Sequence, residues 1–415
     1  MNIKKDRLYV VGRLIGIYRE ERRGKSQNNF TQKSFSKDIC SINTLKRIES
    51  GEVARDEYVY KALLDKFHLK LGYYEEVDSY MDLLMKTLYD AIEFYRLDEI
   101  LKTCEKALKV LQEIKDYIYY NELYALFHAT YQYYKEDIEV DDETMEHFNK
   151  VYLIMDKIFE LLYKRLIFFR LQMVSMENDK NLEMNFGKLE IESSIQPFMR
   201  ILLAHYYLIN KNYIKLKTLL EELEGIFIKN NNFIRLLEVY VYSIYMYADI
   251  DKTFIDTIKD KVNELMDNYE FPDVKKTEIY AAYAYVHYNE KDYNHAYKYL
   301  NELTKTNIDA FLPYLVYIAD CQNRLGKEID VPKIKEVSLQ KYPRNLQIIY
   351  NYYLYYEDTP PLVKQNFIIK EIAPFLSDLD YIEVFRFELN KLVEKTNSYK
   401  HLYLFDKIIK NNLSR

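Results

Sequence analysis

Apolar residues recur at three- and four-residue intervals along this chain, the period of helices that bury one stripe. Leu8, Val11, Leu14, Ile15 and Tyr18 predict a first helix over Leu8–Arg22, followed by a polar loop, Gly24–Asn29. Phe35 and Ile39, then Leu45 and Ile48, suit the inner faces of two short helices. Thr31 and Ser41 stand where a side-chain oxygen can accept a free backbone N–H of each. Gly51 suits a left-handed helix end. Tyr58, Val59, Ala62, Leu63 and Phe67 predict a fourth helix over Asp56–Phe67, and Leu69–Tyr74 a short linking one.

From Tyr80 onward helix follows helix, and a repeat emerges. The clearest unit is Thr277–Ile308: Tyr280, Tyr283 and Ala284 pack a first helix, Asp292-Tyr293 turns, and Ala296, Leu300 and Leu303 pack a second. This fits the tetratricopeptide pattern of about 34 residues. Similar units begin at Pro197 and Leu312, with Ala204, Ala284 and Ala319 in equivalent places. A divergent pair fits Leu237–Tyr269; further pairs fit Tyr80–Phe169, including a helix over Leu97–Leu111, and Leu346–Arg415, broken at Thr359-Pro360-Pro361. Roughly twelve to sixteen such helices are expected. Stacked repeats bury their faces only against neighbours, which predicts a right-handed solenoid with a concave surface.

Composition agrees with an all-α fold: eight Gly and eight Pro in 415 residues leave few turn-formers. The 44 tyrosines need polar neighbours for their hydroxyls, so many should line grooves or helix edges. Three scattered cysteines (Cys40, Cys104, Cys321) and the absence of a run of about 18 apolar residues predict a soluble, cytoplasmic chain with reduced thiols and no membrane contact. Residues 1–70 hold sixteen Lys and Arg against nine Asp and Glu, a net of +7, leaving −13 for the rest of a chain of net −6. A basic head on an acidic body fits a head that meets phosphates.

Two short capped helices joined by a turn, in a basic segment, are the pattern of a DNA-reading helix-turn-helix. The spacing C-S-x-x-x-L-x-R-I-E-x-G from Cys40 to Gly51, with Thr31-Gln32 upstream, resembles the DNA-binding domain of the peptide-pheromone-responsive regulators of Gram-positive bacteria, the Rgg, NprR, PlcR and PrgX types. The resemblance implies a short secreted peptide bound by the helical repeats, with asparagines capturing it. It also implies that Arg19 pairs with Glu49 to fix the first helix against the third. The loop Gly24–Asn29 is about six residues longer than is usual in that group.

With Leu45 and Ile48 inward, Ile42, Asn43, Thr44, Lys46 and Arg47 project outward or sideways. Asn43 can pair bidentately with adenine and the Thr44 methyl can meet a thymine methyl. Ser41, Gln32, Lys33 and Arg47 are placed for phosphates; Thr31 and Lys46 complete the candidate DNA-binding set. Register in the repeats nominates Ile201, His205, Leu208, Tyr245, Tyr285, Tyr288, Asn289, Asp320, Asn323 and Arg324 for the concave side and peptide contact.

Nothing in the chain reads as catalytic. It has no Gly-rich phosphate loop, G-x-S-x-G, H-E-x-x-H or paired C-x-x-C. The acidic run Glu139–Glu143 lacks the ligand alternation of a calcium loop, and Asp142 suits a helix cap. His287 and His295 flank a repeat turn and read as surface residues; no metal or cofactor is expected. The expectation is a cytoplasmic transcriptional regulator with a helix-turn-helix over 1–70, a linker over 71–80 and peptide-binding repeats over 81–415. It should bind paired DNA half-sites as a homodimer, since one reading helix makes too few base contacts. A repeat domain that seizes a signalling protein, or a phage-borne regulator of lysis against lysogeny with the same architecture, stays open.

Overall fold

The structure is a computed structural model that describes residues 3–25, 29–54, 56–175, 189, 196–303, 305, 312–330, 339, 344–354, 359–376 and 379–413. The fold is all-helical: among these residues no strand forms, and an isolated bridge joins Lys70 to Tyr117. The chain divides into two compact units, Met1–Arg200 and Ile201–Arg415. Within the first unit the N-terminal helices also pack on helices that follow them.

The first unit contains α1 (Lys5–Lys25), α2 (Gln32–Ser36), α3 (Ile42–Glu49), α4 (Glu57–Asp65), α5 (Glu75–Glu93), α6 (Leu97–Gln112), α7 (Ile118–Glu136), α8 (Asp142–Val151) and α9 (Lys157–Ser175), then a short turn at Pro197–Arg200. Helix α1 buries Val10 and Arg19 as well as Leu8, Val11, Leu14 and Ile15 of the expected stripe, with Tyr18 half-buried, because it touches α3 and α4 as well as α7 and α8. A Cβ at Gly12 would run into the Ile48 carbonyl, so glycine lets α1 cross α3 closely. In α4 the buried stripe is Tyr60, Leu63 and Leu64, with Phe67 beyond its end, while Tyr58 is 65% exposed, so the phase differs from the sequence expectation. Leu69–Tyr74 is not a helix: Lys70 N–H donates to the Asp116 carbonyl and Ile118 N–H to the Lys70 carbonyl, which holds the segment extended beside the start of α7. The cap of α8 is Asp141 rather than Asp142; its side chain accepts from Thr144 N–H.

The second unit contains α10 (Leu202–Ile209), α11 (Tyr213–Lys229), α12 (Phe233–Ile250), α13 (Ile255–Asn268), α14 (Asp273–Asn289), α15 (Tyr293–Leu303), α16 (Leu312–Arg324), α17 (Arg344–Leu354), α18 (Pro361–Phe367), α19 (Leu379–Thr396) and α20 (Lys400–Leu413). Helix α11 packs on α10 and α12, α15 on α14 and α16, and α19 on α18 and α20, while α12 also packs on α14. Ala281, Ala284, Ala296, Leu300 and Leu303 share one buried cluster across α14 and α15. Ala319 of α16 is buried in a second cluster with α17, α19 and α20.

One turn design recurs at Asn210–Tyr213, Asn230–Phe233 and Glu290–Tyr293. Lys211, Asn231 and Lys291 take left-handed φ angles of 53°, 52° and 61°. The next residue's N–H returns to a carbonyl five residues back, as in Asp292 to His287, satisfying an orphan of the helix end. That residue, Asn212, Asn232 or Asp292, then caps the following helix through its side chain. One residue thus ends a helix through its backbone N–H and starts the next through its side chain, which explains how so few glycines suffice.

Candidate nucleic-acid interface and tyrosine face

Helix α3 is amphipathic in three dimensions as well as in sequence. Leu45 and Ile48 are buried, while Ser41, Ile42, Asn43, Lys46 and Arg47 are exposed and Thr44 is half-buried. Ser41 accepts from Thr44 N–H at 3.0 Å, and Thr31 accepts from Ser34 N–H at 3.2 Å, so both expected caps form. Lys33 is exposed, Gln32 and Thr31 half-buried, and Arg47 meets Glu52 in a solvent-exposed pair at 2.6 Å. The pair implied for Arg19 and Glu49 is present and two-pronged: Nε to Oε1 at 2.5 Å and Nη2 to Oε2 at 3.0 Å. Arg19 also donates to the Phe30 carbonyl, which ties the turn before α2 to the same guanidinium.

Sequence reading missed a second set of contacts that holds α1 from behind. Tyr18 donates to Glu122 at 2.5 Å and accepts from Asn121; His147 bridges Glu21 at 3.0 Å and Glu122 at 2.9 Å; Lys150 reaches Glu21 at 2.9 Å. Arg7 pairs with Asp78 at 2.5 Å and lies 3.1 Å above the Tyr119 ring. Any change in α7 or α8 therefore bears directly on the helix that carries α3. Burial works against a charge on His147, but hydrogen bonds and attraction from Glu122 and Glu21 outweigh it and lift its pKa to about 10. A raised histidine adds stability that is complete below about 6.5 and is lost as pH climbs through about 10. The first unit should therefore weaken across that window, and His147→Phe should flatten the slope in urea melts followed by circular dichroism.

In the second unit the nominated residues fall into groups. Tyr245 and Tyr285 lie 5.2 Å apart, and Tyr288 meets Tyr317 at 4.9 Å; Tyr314 adds to this tyrosine face. Asp249 accepts from Tyr285 and Tyr213 at 2.9 and 2.8 Å. Between the rings is a slot of about 20 Å³, room for a water or a methyl group. Asp320 is buried, accepting from Tyr288 at 2.5 Å and from Arg324 at 2.7 Å through one oxygen, while its other oxygen has no hydrogen-bond partner. Asn323 is 6% exposed and donates to Glu388 at 2.5 Å, so it faces inward rather than toward a ligand in this conformation. Asn289 is exposed at the end of α14, and Ile201 is buried. His205 and Leu208 are half-buried, and burial holds the His205 imidazole down to about 4, a neutral ring at pH 7. Tyr314 and Tyr317 were not nominated, although their spacing repeats that of Tyr285 and Tyr288 on α14.

No helix among the described residues is long and apolar enough to cross a membrane. Comparison of the chain with protein-family models, with curated proteins and with solved structures finds no match.

Proposed function

We propose that this chain is a DNA-binding transcriptional regulator: residues 1–70 form a helix-turn-helix domain, 71–80 a linker, and 81–415 a right-handed tetratricopeptide-like array that binds a short signalling peptide. The observation that carries this reading is α3 itself. Its apolar side is clamped by α1 and the Arg19–Glu49 pair, and its polar side, with Asn43 at the N-terminal end, is left bare. A recognition helix presents that end to base edges in the major groove. Two copies reading paired half-sites would supply the contacts that one lacks.

The tyrosine face of α12, α14 and α16 supports the peptide part. Its rings offer apolar area with hydroxyl handles, and Asp320 keeps an unsatisfied acceptor beside them. Peptide binding acts on DNA affinity only as far as it prefers one arrangement of the heads.

Selection of binding sites from random duplexes by the full chain, followed by titration of Asn43→Ala and Thr44→Ala, tests the proposal. Each lost base contact should narrow discrimination by about 1–3 kcal/mol, while salt-dependent non-specific binding persists. An equal loss on every sequence, or no selected site, would sink it.

A further inference from the structure

We infer that the turn between α14 and α15 is a binding site for a divalent transition-metal ion, held by His287, Asp292 and His295. This inference is independent of the regulatory reading. The three ligand atoms lie within 4.8 Å of one another, His287 on α14, His295 on α15 and Asp292 in the turn between. His287 Nδ1 is 3.7 Å from Asp292 Oδ2, and His295 Nδ1 is 2.6 Å from that same oxygen. Neighbouring ligands on a tetrahedral zinc ion stand roughly 3.3–3.5 Å apart, as bonds of about 2.0–2.1 Å require. Asp292 Oδ2 thus lies close to both imidazoles, and a bound ion would replace its hydrogen bond to His295.

Two further facts point the same way. His287 Nδ1 is itself buried and has no hydrogen-bond partner, an unusual state for an imidazole nitrogen facing a carboxylate. Glu290, whose Oε2 is 3.9 Å from His287 Nδ1, is placed to give a fourth ligand. The His287 ring is stacked on Tyr299 at 5.7 Å, which fixes its plane. Two imidazoles with one or two carboxylates suit zinc, cobalt or nickel; calcium and magnesium prefer oxygen ligands throughout. Because His287 lies in the last turn of α14 and His295 in the first turn of α15, a bound ion would staple this helical hairpin shut.

The test uses the untagged full chain, stripped with chelator and titrated with zinc chloride against a chromogenic competitor. One equivalent per chain should bind with a dissociation constant of micromolar or tighter, and the cobalt complex should show visible bands of a four- or five-coordinate site. His295→Ala and Asp292→Asn should each weaken binding at least tenfold. His295 is 62% exposed and asparagine can still cap α15, so both variants should keep the parent circular dichroism. His401→Ala, far along the chain, should bind as the parent does. Absence of stoichiometric binding at ten micromolar free zinc, or undiminished binding by His295→Ala, overturns the inference.

Discussion

Replacing Arg19 by alanine should cost the first unit about 3–5 kcal/mol, the range for stripping one partner from a buried ion pair. Arg19 is 1% exposed, and the Glu49 carboxylate that it holds is 11% exposed, so the substitution strands a negative charge with little water to replace its donors. It also removes the donor to the Phe30 carbonyl and leaves a gap beneath the turn before α2. Lysine should not rescue, because a single ammonium cannot make the two parallel bonds of the guanidinium. Hydrogen exchange resolved by peptide is the measurement: residues 42–49 should lose protection in Arg19→Ala, whereas the helices of the second unit should not. Arg19→Met with Glu49→Leu should recover much of the loss, since the buried carboxylate goes with its partner and Glu20, which also loses Arg19, is mostly exposed. Equal protection in the parent and in Arg19→Ala would show that the pair does not hold α3.

Glu238→Ala should destabilise the second unit by a similar amount, about 3–5 kcal/mol. Glu238 on α12 receives Arg235 at 2.8 Å and Lys275 of α14 at 2.5 Å, and all three are under a tenth exposed. Removing the carboxylate would take from two buried cations the acceptor that they share, while Lys275 keeps its contact to Glu278 at 2.7 Å. Burial pushes the Glu238 carboxyl up, but Arg235 and Lys275 pull it down further, to a net below the ordinary value. A depressed carboxyl contributes stability that is present above about 4.3 and is lost as pH falls through the folded value. The parent should therefore lose stability in acid more steeply than Arg235→Met/Glu238→Leu/Lys275→Met. That triple variant should be near parental at neutral pH, because apolar side chains of similar volume replace such clusters with little loss. The chain has no tryptophan, so circular dichroism or tyrosine emission must report both melts. A triple variant as unstable as Glu238→Ala would mean that packing, not charge, is the source of the cost.

The sequence carried the helices further than it carried their neighbours. Leu45 and Ile48 inward, Ser41 and Thr31 as caps and Asn43 outward were all legible, because caps and stripes involve residues at most four apart. The Asp292-Tyr293 turn was readable for the same reason. The phase of α4 was not: Tyr58 and Tyr60 are alike in composition terms, and only the approach of α1 selects which is buried. Leu69–Tyr74 failed likewise, since its partners are the Asp116 carbonyl and the Ile118 N–H, more than forty residues on.

By itself, then, the order of residues determined an all-helical chain, its turns, and an N-terminal helix with one bare polar side. Only the tertiary structure decided that α1 is gripped on two sides, through Tyr18 and Glu21 to Glu122 and His147, residues more than a hundred positions away. It alone chose which asparagine faces inward, which charges share a buried site on α12 and α14, and how His287 comes to share a corner with His295. The reason is one of range: a 3.6-residue period and a side-chain cap act within a turn, whereas a hydrogen bond between distant helices leaves no periodic trace in either.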